Sequence, residues 1–137
     1  MPEARRLPEQ PRVVVVDDDP AVGTAIAEVL GAEGLSVEAP GDATAALPGL
    51  IREAPDLVIL DINMEGMTGW ELCAILRRQS ATHAVPILFL TGRSEVKDRI
   101  TAMQLGGSDY LAKPFGAEEL RRKVRSLLKT LRLTEEQ

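Results

Sequence analysis

Three carboxylates, a hydroxyl and an ammonium stand where hydrophobic runs stop, spread over the whole chain. Asp17 and Asp18 follow Val13-Val14-Val15-Val16, and Asp61 follows Leu57-Val58-Ile59-Leu60. Thr91 follows Ile87-Leu88-Phe89-Leu90, and Lys113 follows Tyr110-Leu111-Ala112. Gathered in one crevice, such groups suit a hard cation and a phosphoryl group. Carboxylates placed together repel, and a divalent, oxygen-seeking cation removes that repulsion. Mg2+ is the natural occupant, because it takes one or two carboxylates, keeps several waters and shares phosphate oxygens. Asp18 and Asp61 can supply the carboxylates, with Asp17 acting through a water. The Lys113 ammonium would neutralise a bound phosphoryl group, and the Thr91 hydroxyl would bond one of its oxygens. An Asp carboxylate can also attack phosphorus directly and form an aspartyl phosphate.

The elements that must position these groups alternate along the chain. Short apolar runs bounded by turn signals read as buried parallel strands, and the carboxyl ends of neighbouring strands in an open α/β sheet face a common crevice. A first strand at Val13–Val16 leads to Asp19, a helix cap, then Pro20 at the first helical position and Val22, Ala25, Ile26 and Val29 at helical spacing as far as Gly31 and Gly34. A short strand at residues 35–39 follows, then a helix at residues 43–53 that its interior Pro48 should kink or shorten. The third strand covers residues 56–61; a loop at 62–68 precedes a helix that turns Trp70, Cys73, Ile75 and Leu76 toward the core. The fourth strand is predicted at 85–90, a helix capped by Ser94 carries Val96, Ile100 and Met103 up to Gly106, and the fifth strand covers 108–112. The last helix starts near Ala117 with the stripe Leu120, Val124, Leu127, Leu128 and Leu131. Five β-α units in strict alternation imply a doubly wound parallel sheet with right-handed crossovers.

Composition sets the outer bounds. A chain of 137 residues that is 45% hydrophobic has room for one domain with a core. Residues 1–11 hold three prolines and no hydrophobic period, which reads as a flexible tail; residues 12–130 form the domain and 131–137 a C-terminal tail. The net charge of -5 argues against nucleic acid or an anionic membrane as a direct partner. The single cysteine, Cys73, excludes an intramolecular disulfide and reads as a small core residue. No apolar stretch is long enough to span a bilayer and none follows the first residues as a signal peptide would require, so a cytoplasmic location is expected.

Four segments now carry a resemblance: Val13-Val14-Val15-Val16-Asp17-Asp18-Asp19-Pro20, Leu57-Val58-Ile59-Leu60-Asp61-Ile62-Asn63-Met64, Phe89-Leu90-Thr91-Gly92 and Asp109-Tyr110-Leu111-Ala112-Lys113-Pro114-Phe115. Together they resemble the hallmark stretches of the CheY-like receiver domains of two-component response regulators, in that family's order and approximate spacing. The resemblance implies a (βα)5 flavodoxin-like fold with strand order 2-1-3-4-5. It implies that Asp61 is the phosphoacceptor, that Asp17 and Asp18 are the acidic pair, and that Asn63 offers its backbone carbonyl to the Mg2+. Thr91 matches the switch hydroxyl, Tyr110 the switch aromatic and Lys113 the family's lysine, followed by a bond to Pro114 that is cis in the family. The implied reaction is transfer from a phosphohistidine on a sensor histidine kinase or phosphotransfer protein to Asp61, then slow self-catalysed hydrolysis. Such a domain is a signalling module that catalyses only its own phosphorylation and dephosphorylation. Its output would be an effector protein, an attached output domain, or a homodimer through the fourth helix, fifth strand and fifth helix. Arg99, Asp109, Glu119 and Lys123 partly resemble the charged dimer face of transcriptional receivers, with Thr130 where a further basic residue is often found. The motifs are shared by stand-alone receivers and by those inside longer regulators or hybrid kinases.

Some positions depart from the pattern. Glu65 and Thr68 stand where the family often has Pro and Asp, Gly107 replaces a common Ala, and Arg93 occupies a position that tunes dephosphorylation in the family. His83, with no second His or Cys nearby, reads as an ordinary loop residue, and Arg121, Arg122 and Lys123 as a solvated helix face. Two other functions compete. One is a receiver-like docking module that works without phosphorylation, which the intact acidic pair, Thr91 and Lys113 oppose. The other is a Mg2+-dependent phosphohydrolase of the haloacid dehalogenase type, whose Asp-x-Asp motif Asp17-Asp18-Asp19-Pro20 matches only in part.

Overall fold

The computed structural model describes the backbone of residues 10–92 and 96–136 and the side chains of residues 10–92 and 100–129. Most of the N-terminal tail, the Ser94 cap, and the side chains of Arg93, Arg99, Thr130 and Leu131 lie outside these described residues. The elements in order are β1 (Arg12–Val16), α1 (Pro20–Gly31), β2 (Ser36–Glu38), α2 (Ala43–Arg52), β3 (Leu57–Asp61), α3 (Gly69–Arg78), β4 (Ile87–Thr91), α4 (Val96–Gln104), β5 (Asp109–Ala112) and α5 (Ala117–Glu136). The strands form one sheet in the order β2-β1-β3-β4-β5, and every neighbouring pair is parallel.

Side chains alternate across the strands, so each apolar run feeds two cores. Val14, Val16, Val58, Leu60, Ile87 and Phe89 face α2, α3 and α4, where they meet Leu50, Leu72, Leu76 and Ala102. Val13, Val15, Leu57, Ile59, Leu88 and Leu90 face the other way, toward Ile26 and Leu30 of α1 and Leu120, Val124 and Leu128 of α5. Burial on both faces explains why β1, β3 and β4 read as unbroken apolar runs rather than as alternating patterns. Cys73 is buried on the inner face of α3, and Leu72, which the sequence reading omitted, is buried with it, whereas Ile75 is half-buried.

Several boundaries differ from expectation for visible reasons. β2 is shorter because the Leu35 N–H donates to Leu30 O at 3.1 Å, closing α1 through Gly34 at φ 86°. β4 starts after Pro86, which has no N–H to give to a ladder. α2 runs through Pro48 without a break in its ten residues. Asp42 caps its start by accepting from the Ala45 N–H at 2.7 Å. Pro48 and Thr44 are both exposed, so the carbonyl that Pro48 leaves without a helical donor can be solvated. α5 continues to Glu136, through most of the stretch expected to be a tail.

At the opposite end of the sheet from the strand C-termini, Arg77 at the end of α3 fastens three segments. Its Nη1 donates to the carbonyls of Thr82 (3.4 Å), His83 (3.2 Å) and Val85 (2.7 Å). Its Nε and Nη2 both donate to Gly106 O, at 2.9 and 2.6 Å. Cys73 Sγ adds a contact to Leu105 O at 3.3 Å.

The departure at Gly107 also has a packing cause. A Cβ there would lie 2.7 Å from two Phe89 ring carbons and 2.8 Å from Ala102 O, while the Phe89 ring is itself held against Trp70 at a centroid distance of 4.9 Å. Gly107→Ala is expected to lower stability by about 1–3 kcal/mol through overpacking. Denaturant melts should show a smaller loss from Gly107→Ala in a Phe89→Leu background, where the ring contact is gone and only the Ala102 O contact remains, and equal losses in the two backgrounds would contradict the pairing.

Candidate functional site

The strand order reverses direction at β1, with β2 on one side and β3 on the other, which opens a crevice at the carboxyl ends. Asp17 follows the last residue of β1, Asp61 ends β3, Thr91 ends β4 and Lys113 follows β5. Asp17, Asp61 and Thr91 are buried and Asp18 is exposed. One carboxylate oxygen from each of Asp17, Asp18 and Asp61 lies within 4.8 Å of the others. Lys113 Nζ donates to Asp17 Oδ2 at 2.8 Å and to Asp61 Oδ2 at 3.3 Å. The Lys113 N–H donates to Thr91 O at 2.7 Å, and the Lys113–Pro114 bond is cis.

Backbone donors hold the carboxylates in place. Asp17 Oδ1 accepts from the Asp19 N–H at 2.9 Å, and Asp61 Oδ1 accepts from the Asn63 N–H at 3.1 Å. The Glu65 N–H reaches Asp18 Oδ2 at 3.4 Å, so the loop after β3 approaches the acidic pair from β1. Asp19, by contrast, accepts from the Ala21 N–H at 3.0 Å as the N-cap of α1. Thr68 and Glu71 form a capping box at the start of α3, which gives Thr68 a structural role of its own.

Thr91 Oγ1 is a buried hydroxyl with no hydrogen-bond partner among the described residues. An unpaired buried polar group costs free energy unless a ligand or water satisfies it. Together with three oxygen donors and a cation, it makes the crevice fit a hard divalent ion and the oxygens of a phosphoryl group. Tyr110 is half-buried on β5, opposite Phe89 in the ladder, and is packed against the α2–α3–α4 core.

Gly69 is a site residue that motif reading did not single out. A Cβ on it would stand 2.2 Å from Asp61 O and 2.9 Å from Ile62 Cα. Its N–H donates to Ile62 O at 3.2 Å. The first residue of α3 is therefore seated directly on the backbone of Asp61, and the bare Cα is needed for approach. The available signal was a glycine directly after a Thr cap.

Burial disfavours charge on Asp61, and the neighbouring Asp17 charge adds to this; the Asn63 N–H and Lys113 offset only part, so the Asp61 pKa is raised. Burial also opposes charge on Lys113, but the bonds and charges of Asp17 and Asp61 outweigh it and raise its pKa. The signs differ in consequence. For Asp61 the native state binds more protons than the unfolded state, so stability falls as pH rises from the ordinary 3.8 through the raised value. For Lys113 the contribution is complete below its ordinary 10.5 and is lost above it. Without Mg2+, Asp61→Asn is thus expected to melt at a higher temperature than the parent at neutral pH. That gain should shrink on acidification below the ordinary carboxylate range; a gain that grows toward low pH would contradict the assignment.

The family profile described as the response regulator receiver domain matches residues 13–125. Among curated proteins, the chain is 41% identical to the response regulator MprA of Mycobacterium leprae, over 86% of this chain and 51% of that protein. It is 38% identical to the DNA-binding response regulator MtrA of Mycolicibacterium smegmatis, over 86% of this chain and 50% of the relative. The chain thus spans about half the length of these curated relatives. Among solved structures, the chemotaxis response regulator CheY4 of Vibrio cholerae superposes with a TM-score of 0.82 at 30% identity, covering 86% of this chain and 98% of that one. Five parallel strands in the order 2-1-3-4-5, a crevice lined by Asp17, Asp18, Asp61, Thr91 and Lys113, and these matches agree: the chain belongs to the response regulator receiver domains of two-component signalling systems.

Proposed function

We propose that Asp61 accepts a phosphoryl group from a phosphohistidine on a sensor histidine kinase or phosphotransfer protein. The observation that carries this reading is the Lys113 ammonium bridging Asp17 and Asp61 in the crevice that also holds the unpartnered Thr91 hydroxyl. Asp17, Asp18, Asp61 and the backbone carbonyl of Asn63 would hold Mg2+, which when bound neutralises charge on the phosphoryl oxygens. A carboxylate oxygen of Asp61 attacks phosphorus as the bond to the imidazole nitrogen of the donor breaks. Lys113 offsets negative charge on the transferred group, and the Thr91 hydroxyl donates to one of its oxygens. Hydrolysis of the acyl phosphate later restores the carboxylate. The receiver unit of this reading spans residues 12–130.

The output follows from the same two residues. As Thr91 moves to bond the phosphoryl group, it vacates space into which Tyr110 turns, and the surface of α4, β5 and α5 changes with it. That surface would engage an effector protein, an output domain or a second copy of the chain. The relative MtrA is described as DNA-binding; an attached DNA-binding domain is one output consistent with the greater length of the relatives. No helix of the described residues is long and apolar enough to cross a membrane.

Incubation with acetyl phosphate and Mg2+ should add one labile phosphate by intact mass, absent in Asp61→Asn and absent without metal. A hydrolase would instead turn over external phosphomonoesters, and a docking module would acquire nothing. Retention of the modification in Asp61→Asn would sink the assignment. The adjacent carboxylates should also separate by role. Asp18→Ala is expected to weaken Mg2+ binding at least tenfold, whereas Asp19→Ala should lose a cap contribution of about 1 kcal/mol and bind Mg2+ nearly as the parent does. Metal titrations with the reverse order would show the acidic pair misassigned.

A further inference from the structure

α5 reaches over the face of the switch aromatic. Lys123 Nζ lies 4.8 Å from the centroid of the Tyr110 ring, inside the range in which an ammonium is attracted by the ring's negative face. The same Nζ donates to Asp109 Oδ1 at 3.2 Å. That oxygen also accepts the Tyr110 backbone N–H at 2.8 Å. The Lys123 side chain is only 21% exposed and that of Asp109 33%, so water screens the contact less than it would on an open helix face. Asp109 thereby fixes the ammonium, and the ammonium covers the ring. Lys123 belongs to the helix face that sequence alone reads as solvated, with Arg121 and Arg122.

We infer that Lys123 is a positioning residue for the Tyr110 switch: anchored by Asp109, it latches the ring in its present orientation, and the latch opposes phosphorylation at Asp61. This inference rests on the phosphoacceptor and switch reading given above. Linkage ties the ring's orientation to the affinity of the crevice. A contact made only in the unswitched state holds the population there, and whatever favours the switched state must overcome it by the same factor. A partly sheltered ammonium–ring contact corresponds to about two- to fivefold in that equilibrium. Removing it should therefore tighten the binding of a phosphoryl mimic. Simple electrostatics predicts the opposite, because deleting a cation from the domain weakens the attraction for an anion. The sign of the effect separates a latch from a general charge contribution.

The test is a calorimetric titration of the full chain with beryllofluoride in the presence of Mg2+, for the parent, Lys123→Ala, Lys123→Arg, Tyr110→Ala and Lys123→Ala combined with Tyr110→Ala. Lys123→Ala should bind about two- to fivefold more tightly than the parent. Lys123→Arg, which keeps both the charge and the ring contact, should bind as the parent does. In the Tyr110→Ala background, the Lys123→Ala change should give no tightening. Weaker or unchanged binding in Lys123→Ala, or tightening that persists without the Tyr110 ring, would overturn the latch while leaving Asp61 as the acceptor. Failure of the parent itself to bind the mimic would overturn the phosphoacceptor reading, and the latch with it.

Discussion

The ammonium of Lys113, shared between Asp17 and Asp61, is the interaction on which the crevice depends. Two buried carboxylates at the ends of adjacent parallel strands repel each other, and the sheet cannot move them apart without breaking the β1–β3 ladder. A cation supplied from β5, at the far side of β4, relieves part of that repulsion and ties the central strand pair to the edge. Thr91 stands between them, joined to Lys113 through the backbone at 2.7 Å. The sheet order thus turns a local electrostatic problem into a link across four strands. Burial, with the Asp17 charge adding to it, still raises the Asp61 pKa despite Lys113, so the crevice retains a preference for a further positive charge.

The carboxylate itself is held from beneath by backbone. Gly69 brings the start of α3 against Asp61 O, the Asn63 N–H bonds its side chain, and the Glu65 N–H draws the intervening loop toward Asp18. These contacts come from the backbone, but two of them need a particular residue: the bare Cα of Gly69 permits its approach, and the Glu65 N–H is one that a Pro at this position would lack. The replacement of the family's common Pro and Asp by Glu65 and Thr68 is therefore absorbed: Glu65 contributes its N–H, and Thr68 builds a capping box with Glu71. The loop after β3 is thus anchored near both ends.

Legibility in the sequence follows the same division between side chains and backbone. The strands and their terminal Asp, Thr and Lys could be read because burial on both faces forces uninterrupted apolar runs, and a charge at the end of such a run stands out. Asp19 was separable from Asp18 because Pro20 marks the first helical position. Gly69 and Arg77 were not legible, since each acts on carbonyls, and every residue type carries the same carbonyl. Gly107 could be seen as a departure, but its cause needed the Phe89 ring in place. Pro48 misled because propensity registers the lost hydrogen bond and not the exposure of the carbonyl left behind. α5 runs on to Glu136, beyond Leu131, the last residue of the apolar stripe that marks it in the sequence.

Arg77 gives the molecule two ends of different chemical character. At the strand C-termini the side-chain interactions that hold Asp17, Asp18, Asp61 and Lys113 all involve a carboxylate or an ammonium, so acid, salt or a bound anion alters them. At the other end a half-buried guanidinium is held by carbonyls alone among the contacts described, and carbonyls do not titrate. Its own pKa, though drawn down by burial, starts so high that the group stays charged over the range in which the carboxylates change state. The loop entering β4 and the turn entering β5 are thus moored at a point indifferent to solution conditions. Thr91 and Tyr110 lie on the strands leaving those moorings, so displacements begun in the crevice are referred to a fixed origin.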